Sequence, residues 1–213
     1  MSDNKRDFDK EADQWDENPG RVKMASDVSD AIMLHVPLNT SMRAMDFGCG
    51  TGLLTLRIAP LVGSIAGVDS SQGMLDVLRS KISKQKINNV TASFIDLDKG
   101  DVLAGNYDLI VSSMTFHHLE KIVPLLKLFH ECLSPGGYLS VADLDPDDGL
   151  FHNDNKGVIH FGFERTEMRH AFTEAGFDRI HDVTAAEVEK PTIKNGIRRF
   201  MVFLMTGQKA GAS

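Results

Sequence analysis

The stretch AMDFGCGTGLL, residues 44–54, decides how the rest of the chain is interpreted. A short apolar run reaches Asp46 and is followed by glycines at positions 48, 50 and 52, which alternate with other residues. Because glycine has no Cβ, this spacing lets the main chain bend sharply and approach a ligand closely. We interpret the stretch as the end of a strand and a loop that holds a small cofactor against its backbone.

Strand-like and helix-like segments alternate around this loop. Five apolar runs have strand character, segments with helical spacing separate the first four, and a helix closed by Pro-Gly-Gly leads into the fifth. This alternation predicts a parallel sheet with helices on both faces. The runs are MRAMDF (42–47), SIAGVD (64–69), VTASFID (90–96), YDLIVSS (107–113) and GYLSVADL (137–144).

The two ends of the chain have a different pattern. Residues 166–180 are typical of a helix capped by Thr166, and two strand candidates follow near 177–188 and 198–207. No helix separates these strands, so they are free to pair antiparallel. At the other end, residues 19–36 predict a helix with Pro19 in its first turn. We therefore expect an open, doubly wound α/β sheet with a C-terminal antiparallel hairpin behind an N-terminal helical cap.

The composition bounds the class of protein. The chain has 213 residues, which fits one domain, and a net charge of −7, which argues against a broad nucleic-acid or anionic-membrane surface. Two cysteines allow no disulfide framework and suit a reducing cytosol. The charged N-terminus has no apolar core typical of a secretory signal, and no apolar run approaches bilayer length. We expect a cytoplasmic protein with neither nucleic-acid nor membrane partners.

We divide this single domain, residues 1–213, into three parts. Residues 1–38 form the helical cap, 39–145 the cofactor-binding core, and 146–213 a lid loop, a helix and the antiparallel hairpin. The region 145–163 has no clear periodicity and is long for a connection, which is typical of a functional loop.

The glycine spacing separates two classes of cofactor. Dinucleotide-binding loops follow G-x-G-x-x-G/A, whereas this loop reads G-x-G-x-G, with Leu53 where the last glycine or alanine should stand. Asp46 precedes the first glycine by two residues, a poor place beside a pyrophosphate and a good one near a cationic group. A Tyr-x-x-x-Lys pair is also absent, since Tyr107 and Tyr138 are the only tyrosines. A nicotinamide-dependent oxidoreductase is therefore the weaker alternative.

MDFGCGTGLLTL (45–56) resembles the first motif of class I S-adenosylmethionine-dependent methyltransferases. GVDSSQGMLDVLR, FIDLD, YDLIVSSMTFHHL and LSPGGYLSVADLD resemble the later strand-end motifs of that family, in the same order. Together they cover residues 44–145, and the N-terminal FDKEADQWDENPGR is similar to the cap of small-molecule members. The resemblance, to the methyltransferase type 11 or ubiquinone-biosynthesis-like branch, implies a Rossmann-like sheet of seven strands and S-adenosyl-L-methionine as cofactor.

The resemblance also assigns roles to residues. Asp46 would orient the cationic end of the cofactor, Asp69 would accept the ribose hydroxyls and Asp96 the adenine amino group. Asp69 can also be explained as a helix N-cap, and Asp96 as part of an acidic turn. The remaining cofactor-binding candidates are Trp15, Arg21, Gly48, Cys49, Gly50, Ser70, Met74, Leu97 and the carbonyl of Ser112.

The candidates for catalysis are histidines. His117 follows the fourth strand, beside the expected methyl group, and is our candidate base or substrate-orienting residue. The favoured alternative is structural: of His117 and His118, one imidazole packs under the loop and the other caps the next helix. His152 and His160 lie among phenylalanines in the 145–163 region, and we expect them to face the acceptor. The carboxylates nearby match no metal-ligand spacing, so we expect no metal.

The methyl acceptor is open at this stage. The small core and the acidic charge favour a small molecule with an oxygen, sulfur, carbon or nitrogen nucleophile. A protein or RNA acceptor and a non-catalytic S-adenosylmethionine-binding module are the alternatives. We interpret Trp15 and Phe8 as a lid over the active site or as a helix staple. Arg21 is close to Trp15 in the sequence.

Overall fold

The structure, a computed structural model, describes residues 6–192 and 196–211. Its centre is a seven-stranded sheet in the order β3-β2-β1-β4-β5-β7-β6. The first five strands pair in parallel, and β7 runs antiparallel to both β5 and β6. The strands are β1 (Arg43–Phe47), β2 (Ser64–Asp69), β3 (Val90–Phe94), β4 (Tyr107–Ser113), β5 (Leu133–Leu144), β6 (Asp178–Thr192) and β7 (Gly196–Gln208).

Helices cover both faces because side chains alternate along each strand. Leu109 and Val111 pack in one core with α2 and α3, whereas Ile110 between them packs in the other with α5 and α6. The helices are α1 (Phe8–Glu11), α2 (Pro19–His35), α3 (Thr55–Ile58), α4 (Gln72–Gln85), α5 (Ile122–Cys132) and α6 (Arg165–Glu174). Short 3-10 turns lie at Ala12–Glu17, Ala59–Leu61, Leu97–Lys99 and Phe116–His118.

The predicted architecture is confirmed, including the antiparallel C-terminal hairpin and the helix that begins at Pro19. Helix α2 starts there because the Asn18 side chain accepts the Gly20 and Arg21 amides, and Pro19 needs no amide partner. No helix within 6–192 and 196–211 is long and apolar enough to cross a bilayer.

Two local predictions are wrong. Thr166 does not cap α6, since the helix already begins at Arg165, whose guanidinium binds both carboxylate oxygens of Asp145 at 2.7 Å. The Pro-Gly-Gly segment does not form a separate turn but belongs to β5, which begins at Leu133. The β5 boundary differs because Leu133 already pairs with Tyr107 of β4, which takes the Pro-Gly-Gly segment into the strand.

The sheet order creates the crevice where a ligand can bind. Strands β1 and β4 are neighbours in the sheet, and from them the chain extends outward in opposite directions, to β2 and β3 on one side and to β5 on the other. Loops at the carboxyl ends of parallel strands diverge at such a point. The glycine loop after β1 therefore lies beside the loop after β4, which carries His117 and His118.

Candidate active site

A cavity of about 550 Å³ lies at this edge of the sheet. Its floor is the glycine loop and the ends of β2 and β3. Its roof comes from the cap, residues 6–35, and its far wall from the 145–163 loop and β6. Most of the predicted site residues line it, namely Trp15, Arg21, Asp46, Gly48, Cys49, Gly50, Asp69, Ser70, Met74, Asp96, Leu97, His117 and His152.

The glycine loop is tight at Gly48. Its φ is +72°, and a Cβ added there would lie 2.2 Å from Thr115 Oγ1. The Gly48 and Cys49 amides both donate to the Val68 carbonyl, at 2.8 and 3.1 Å. Only glycine fits this positive φ and this close approach to Thr115. The loop therefore stays bound to the end of β2, and its other side lines the cavity.

Asp69 closes β2 and is held by backbone amides. Gly50 N donates to its Oδ2 and Ser71 N to its Oδ1, both at 2.8 Å. Burial raises the pKa of this carboxyl, and the amide hydrogen bonds oppose that rise. A carboxylate oxygen can accept two hydrogen bonds, so Asp69 keeps the capacity to bind two ligand hydroxyls.

Asp46 is the most deeply buried acid of the cavity lining. It is 1% exposed, and its Oδ2 accepts a hydrogen bond of 2.6 Å from the Thr55 hydroxyl. Burial raises the pKa of Asp46 to about 7. Burial disfavours the ionised form of Asp46, and a cation placed beside the carboxylate would stabilise that form.

The remaining floor residues lie around Asp96, which is 5% exposed at the start of a 3-10 turn. Its carboxylate accepts the Asp98 amide and pairs with Lys99 at 3.0 Å.

Ser112, another predicted cofactor-binding residue, lies on β4. Its hydroxyl donates to the Phe47 carbonyl at 2.8 Å, whereas the next residue, Ser113, lines the cavity. The structure therefore places Ser112 just behind the cavity wall.

Cys49 also lines the floor but is only 7% exposed. Burial raises the pKa of its thiol well above the ordinary value, and the neighbouring Asp46 and Asp69 add to the effect. A thiol that stays protonated is a poor nucleophile. Cys49 is therefore a small packing residue of the loop.

Trp15 and Arg21 form the roof together. The Arg21 guanidinium lies 3.6 Å from the centre of the Trp15 ring, and its Nη1 donates to the Trp15 carbonyl. Phe8 packs edge-on against Trp15 and, on its other side, against His118. The roof is thus a connected aromatic and cationic layer that extends from the cap to the loop after β4.

Two cap carboxylates fasten the roof to the floor. Asp9 Oδ1 accepts the Ser71 hydroxyl at 2.6 Å and the Gly73 amide at 2.8 Å. Asp16 accepts the Thr51 hydroxyl at 2.6 Å and pairs with Lys81. Because Ser71 follows Asp69 closely and Thr51 belongs to the glycine loop, the cap is bound directly to the segments that form the floor.

His117 and Asp143 form a buried pair. His117 Nδ1 lies 2.7 Å from Asp143 Oδ1, and the two side chains are 1% and 0% exposed. Burial alone would raise the pKa of Asp143, but His117 and the Leu144 amide outweigh it and hold that pKa below its ordinary value. With Asp143 occupying Nδ1, Nε2 is the ring nitrogen of His117 that remains for a ligand. This Nε2 has no hydrogen-bond partner among the described residues.

Two further histidines surround His117. The rings of His118 and His152 lie 4.1 and 5.0 Å from its ring. Burial, reinforced by their neighbours' charge, lowers the pKa of His118 to about 4 and that of His152 to about 3. His118 Nδ1 is bound to the Gly157 carbonyl, whereas the buried Nε2 of His152 has no described partner.

His160 is next to His117 through its backbone, because its amide donates to the His117 carbonyl at 3.1 Å, but its ring lies outside the cavity. Its Nε2 is 2.9 Å from the Leu119 carbonyl, its ring packs on Phe163, and it does not line the cavity. The structure therefore brings His117 and His152 together and leaves His160 outside. Within the described part of the chain, no group of three histidine, cysteine, aspartate or glutamate side chains is arranged to hold a metal.

Three cavity features were missed in the sequence. Asp143 is the buried partner of His117 and lies behind the cavity lining. His118 lines the cavity beside His117, and Lys190 lies beyond the predicted end of its strand. No local pattern distinguishes Lys190 from the other charged residues beside it, Glu187 and Glu189.

The comparisons with known proteins agree with this geometry. The profile of the family described as "Methyltransferase domain" matches residues 44–137. An uncharacterized methyltransferase of Schizosaccharomyces pombe is 34% identical over 163 residues, 70% of this chain and 57% of that protein. A malonyl-[acyl-carrier protein] O-methyltransferase of Priestia megaterium is 27% identical over 143 residues, 59% and 51% of the two chains.

Solved structures share the fold. The YcgJ protein of Bacillus subtilis has a TM-score of 0.73 at 14% identity, over 87% of this chain and 99% of that one. A SAM-dependent methyltransferase of Aquifex aeolicus has a TM-score of 0.69 at 19% identity, over 94% and 97%.

Residues 44–137 belong to the methyltransferase-domain family, and the whole sheet has the fold of class I S-adenosylmethionine-dependent methyltransferases. It spans about half the length of the curated relatives it matches.

Proposed function

We propose that this protein transfers a methyl group from S-adenosyl-L-methionine to an oxygen nucleophile of a small molecule. The observation that carries the proposal is the row of three acids on the cavity floor, each at or near the carboxyl end of a parallel strand. Asp46 is the last but one residue of β1, Asp69 ends β2, and Asp96 lies two residues after β3. Asp46 and Asp96 are buried, and Asp69 is half-buried. A cationic, diol-bearing ligand with a long reach would satisfy all three.

The residues present fit S-adenosylmethionine. Asp46, hard to ionise without a cation nearby, would face the cationic methionine end, and Asp69 would accept the ribose hydroxyls. Asp96 and Leu97 would border the adenine, with Met74 as an apolar wall. When bound, the cofactor supplies an electrophilic methyl group on a sulfonium.

The chain's own contribution to the reaction is proton removal and exclusion of water. Nε2 of His117 would take the O–H proton of the acceptor as its oxygen receives the methyl group, while the sulfonium–methyl bond breaks and its electron pair leaves with S-adenosylhomocysteine. Asp143 holds the ring through Nδ1 and stabilises the positive charge that His117 then carries. The roof of Trp15 and Arg21 covers the site, which strengthens these interactions by excluding water.

The enclosed cavity and the relatives support a small acceptor with an oxygen nucleophile. The roof and the far wall leave about 550 Å³, which is in the range of small-molecule sites. Two groups of relatives are named malonyl-[acyl-carrier protein] and ubiquinone biosynthesis O-methyltransferases. Another structural relative is a phosphoethanolamine N-methyltransferase, so amines belong in the test.

The test is production of S-adenosylhomocysteine by the purified protein. S-adenosylmethionine is supplied with phenols, carboxylates, thiols and amines, beside a blank without acceptor. We expect turnover above the blank with an oxygen acceptor, and loss of that turnover in His117→Gln. Turnover only with amines or thiols would contradict the oxygen proposal, and cofactor binding without turnover on small molecules would favour a macromolecular acceptor. No cofactor binding would refute the function altogether.

A further inference from the structure

Lys190 is a cationic side chain of the far wall without a counter-ion among the described residues. It lies on β6, is half-buried and lines the cavity. Its Nζ donates to the Phe151 carbonyl at 2.9 Å and lies 3.7 Å from the centre of the Phe151 ring. It forms no ion pair with a carboxylate of the described residues.

The surroundings of Lys190 carry excess positive charge. Burial lowers the pKa of Lys190, and Arg21 and Arg6 lower it further, whereas Asp147 opposes them. The carboxylate of Asp147 is already occupied, since it accepts the amides of Gly149 and Phe151 at 2.9 Å each. Lys190 is therefore the lysine of this wall that a ligand has to neutralise.

The two neighbouring arginines differ from Lys190 in this respect. Arg6 binds both oxygens of Glu11 at 2.7 Å, and Arg21 lies 3.6 Å from the same carboxylate. Their charge is shared with Glu11 and, for Arg21, with the ring of Trp15. An anion entering the cavity would meet Lys190 as its strongest unshared cation.

Lys190 and His117 line the same cavity. The carbonyl that Lys190 binds belongs to Phe151, and the next residue, His152, has its ring 5.0 Å from that of His117. The buried Nε2 of His152 lacks a described partner, as does that of His117. Met24 and Val188 complete this side of the cavity with apolar surface.

We propose that Lys190 forms an anion-binding subsite, and that the methyl acceptor carries an anionic oxygen group beside the nucleophile that His117 deprotonates. The inference rests on the proposed function and adds the substrate class to it. A single half-buried ammonium matches the charge of a carboxylate, and a phosphate is the other source of the same chemistry. Two of the three Nζ protons remain for the anion after the Phe151 carbonyl takes one.

The experiment measures binding to the protein saturated with S-adenosylhomocysteine. Calorimetry compares benzoate with benzamide and hexanoate with hexanamide, pairs that differ in charge but little in shape. Phenylphosphonate replaces benzoate in a third arm to separate carboxylate from phosphate-like recognition. We expect the carboxylates to bind about tenfold tighter than the amides, which corresponds to one charge-assisted contact.

Three variants identify the residue responsible. In Lys190→Met the preference for carboxylate over amide should fall to about threefold or less, and Lys190→Arg should keep most of it. Lys127→Met is the matched control, because Lys127 is an exposed lysine of α5 that pairs with Glu174 outside the cavity. It should leave the preference unchanged, which excludes a simple effect of net charge.

The outcomes separate this inference from the proposed function. Equal or undetectable binding of carboxylate and amide would overturn the anion subsite, as would a preference that survives in Lys190→Met. Weaker S-adenosylhomocysteine binding in Lys190→Met, with unchanged discrimination between the probes, would assign Lys190 to the cofactor and also overturn it. A wild-type protein that fails to bind S-adenosylhomocysteine would instead refute the proposed function.

Discussion

The floor of the cavity and the side that faces it carry ionisable side chains of opposite type. The floor carries Asp46, Asp69 and Asp96, whereas the far wall and roof carry imidazoles and the cations Arg21 and Lys190. The floor is built from strand ends that lie close together in sequence. The opposite side is assembled from segments far apart in the chain, so its chemistry can vary while the floor stays the same.

This difference explains why the relatives say more about the cofactor than about the acceptor. The family profile matches residues 44–137, which contain all three floor acids. Arg21, Asp143, His152 and Lys190 all lie outside that range. Similarity concentrated on the floor identifies the shared cofactor, and the acceptor has to be argued from the far wall of this chain.

The largest effect should come from the catalytic pair on the far side. His117→Gln removes the base and should lower kcat by about 10² to 10⁴-fold, while the affinity for S-adenosylhomocysteine changes little. Steady-state kinetics with calorimetry measures both quantities.

Two further variants are compared with His117→Gln: Asp143→Asn, which removes the charge beside His117, and His170→Gln, which is the control. Asp143 acts through His117, so its replacement should lower kcat and also move the pH profile of kcat. His170 is exposed on α6 and serves as the control. Equal kcat in His117→Gln and His170→Gln would show that the pair has only a structural role.

Replacing a floor residue should instead change the affinity for S-adenosylhomocysteine. Asp69→Asn removes the charge and one acceptor oxygen, and should weaken binding of S-adenosylhomocysteine by about 10- to 100-fold. Asp76→Asn, at an exposed acid on α4, is the matched control. Calorimetry that finds the same affinity in both variants would contradict the ribose role of Asp69.

The raised pKa of Asp46 predicts a pH-dependent affinity. Below about pH 7 the free protein holds Asp46 protonated, and above it Asp46 is ionised, the form that a cationic ligand prefers. Affinity for S-adenosylmethionine should therefore rise about tenfold from pH 6 to pH 8. Asp46→Asn should abolish most of that rise, and an unchanged slope would remove Asp46 from the cationic subsite.

The cap contacts predict a smaller, kinetic effect. Asp9→Ala removes two hydrogen bonds between roof and floor and should speed release of S-adenosylhomocysteine by about three- to tenfold. Trp15, the single tryptophan, provides the fluorescence signal for stopped-flow measurement. Asp13→Ala changes an exposed acid of the same segment. Identical release rates in the two variants would argue against a fastened roof.

The smallest effect concerns stability on the histidine side. The pKa of His152 is lowered to about 3 by burial, so His152 stays neutral in the fold while the unfolded chain takes up a proton below about pH 6.5. Its stabilising contribution is present above that pH and is lost as the pH falls. His152→Gln should make the loss of stability shallower by at most about 1 kcal/mol per pH unit.

Thermal melts between pH 7 and pH 5 measure that slope. His170→Gln, at the exposed histidine of α6, should keep the wild-type slope. Parallel slopes for wild type and His152→Gln would mean that His152 is not held neutral.

The sequence allowed the sheet and the floor to be predicted because both depend on local patterns. Strand alternation, the spacing of three glycines and acids at strand ends are all readable over a few residues. The pair of His117 and Asp143 joins residues 26 positions apart, and nothing in either segment encodes that distance. Lys190 was missed because β6 continues past Val188, where its pairing with β7 extends the strand.

The fastened cap has a consequence for the order of events in turnover. Asp9 binds the segment after β2, and Asp16 binds the glycine loop, so the roof lies over the cofactor side of the cavity. Exchange of the cofactor requires these contacts to open, whereas an acceptor approaching the far wall does not meet them. We expect an ordered reaction in which S-adenosylmethionine enters first and S-adenosylhomocysteine leaves last, with product inhibition that competes with the cofactor alone.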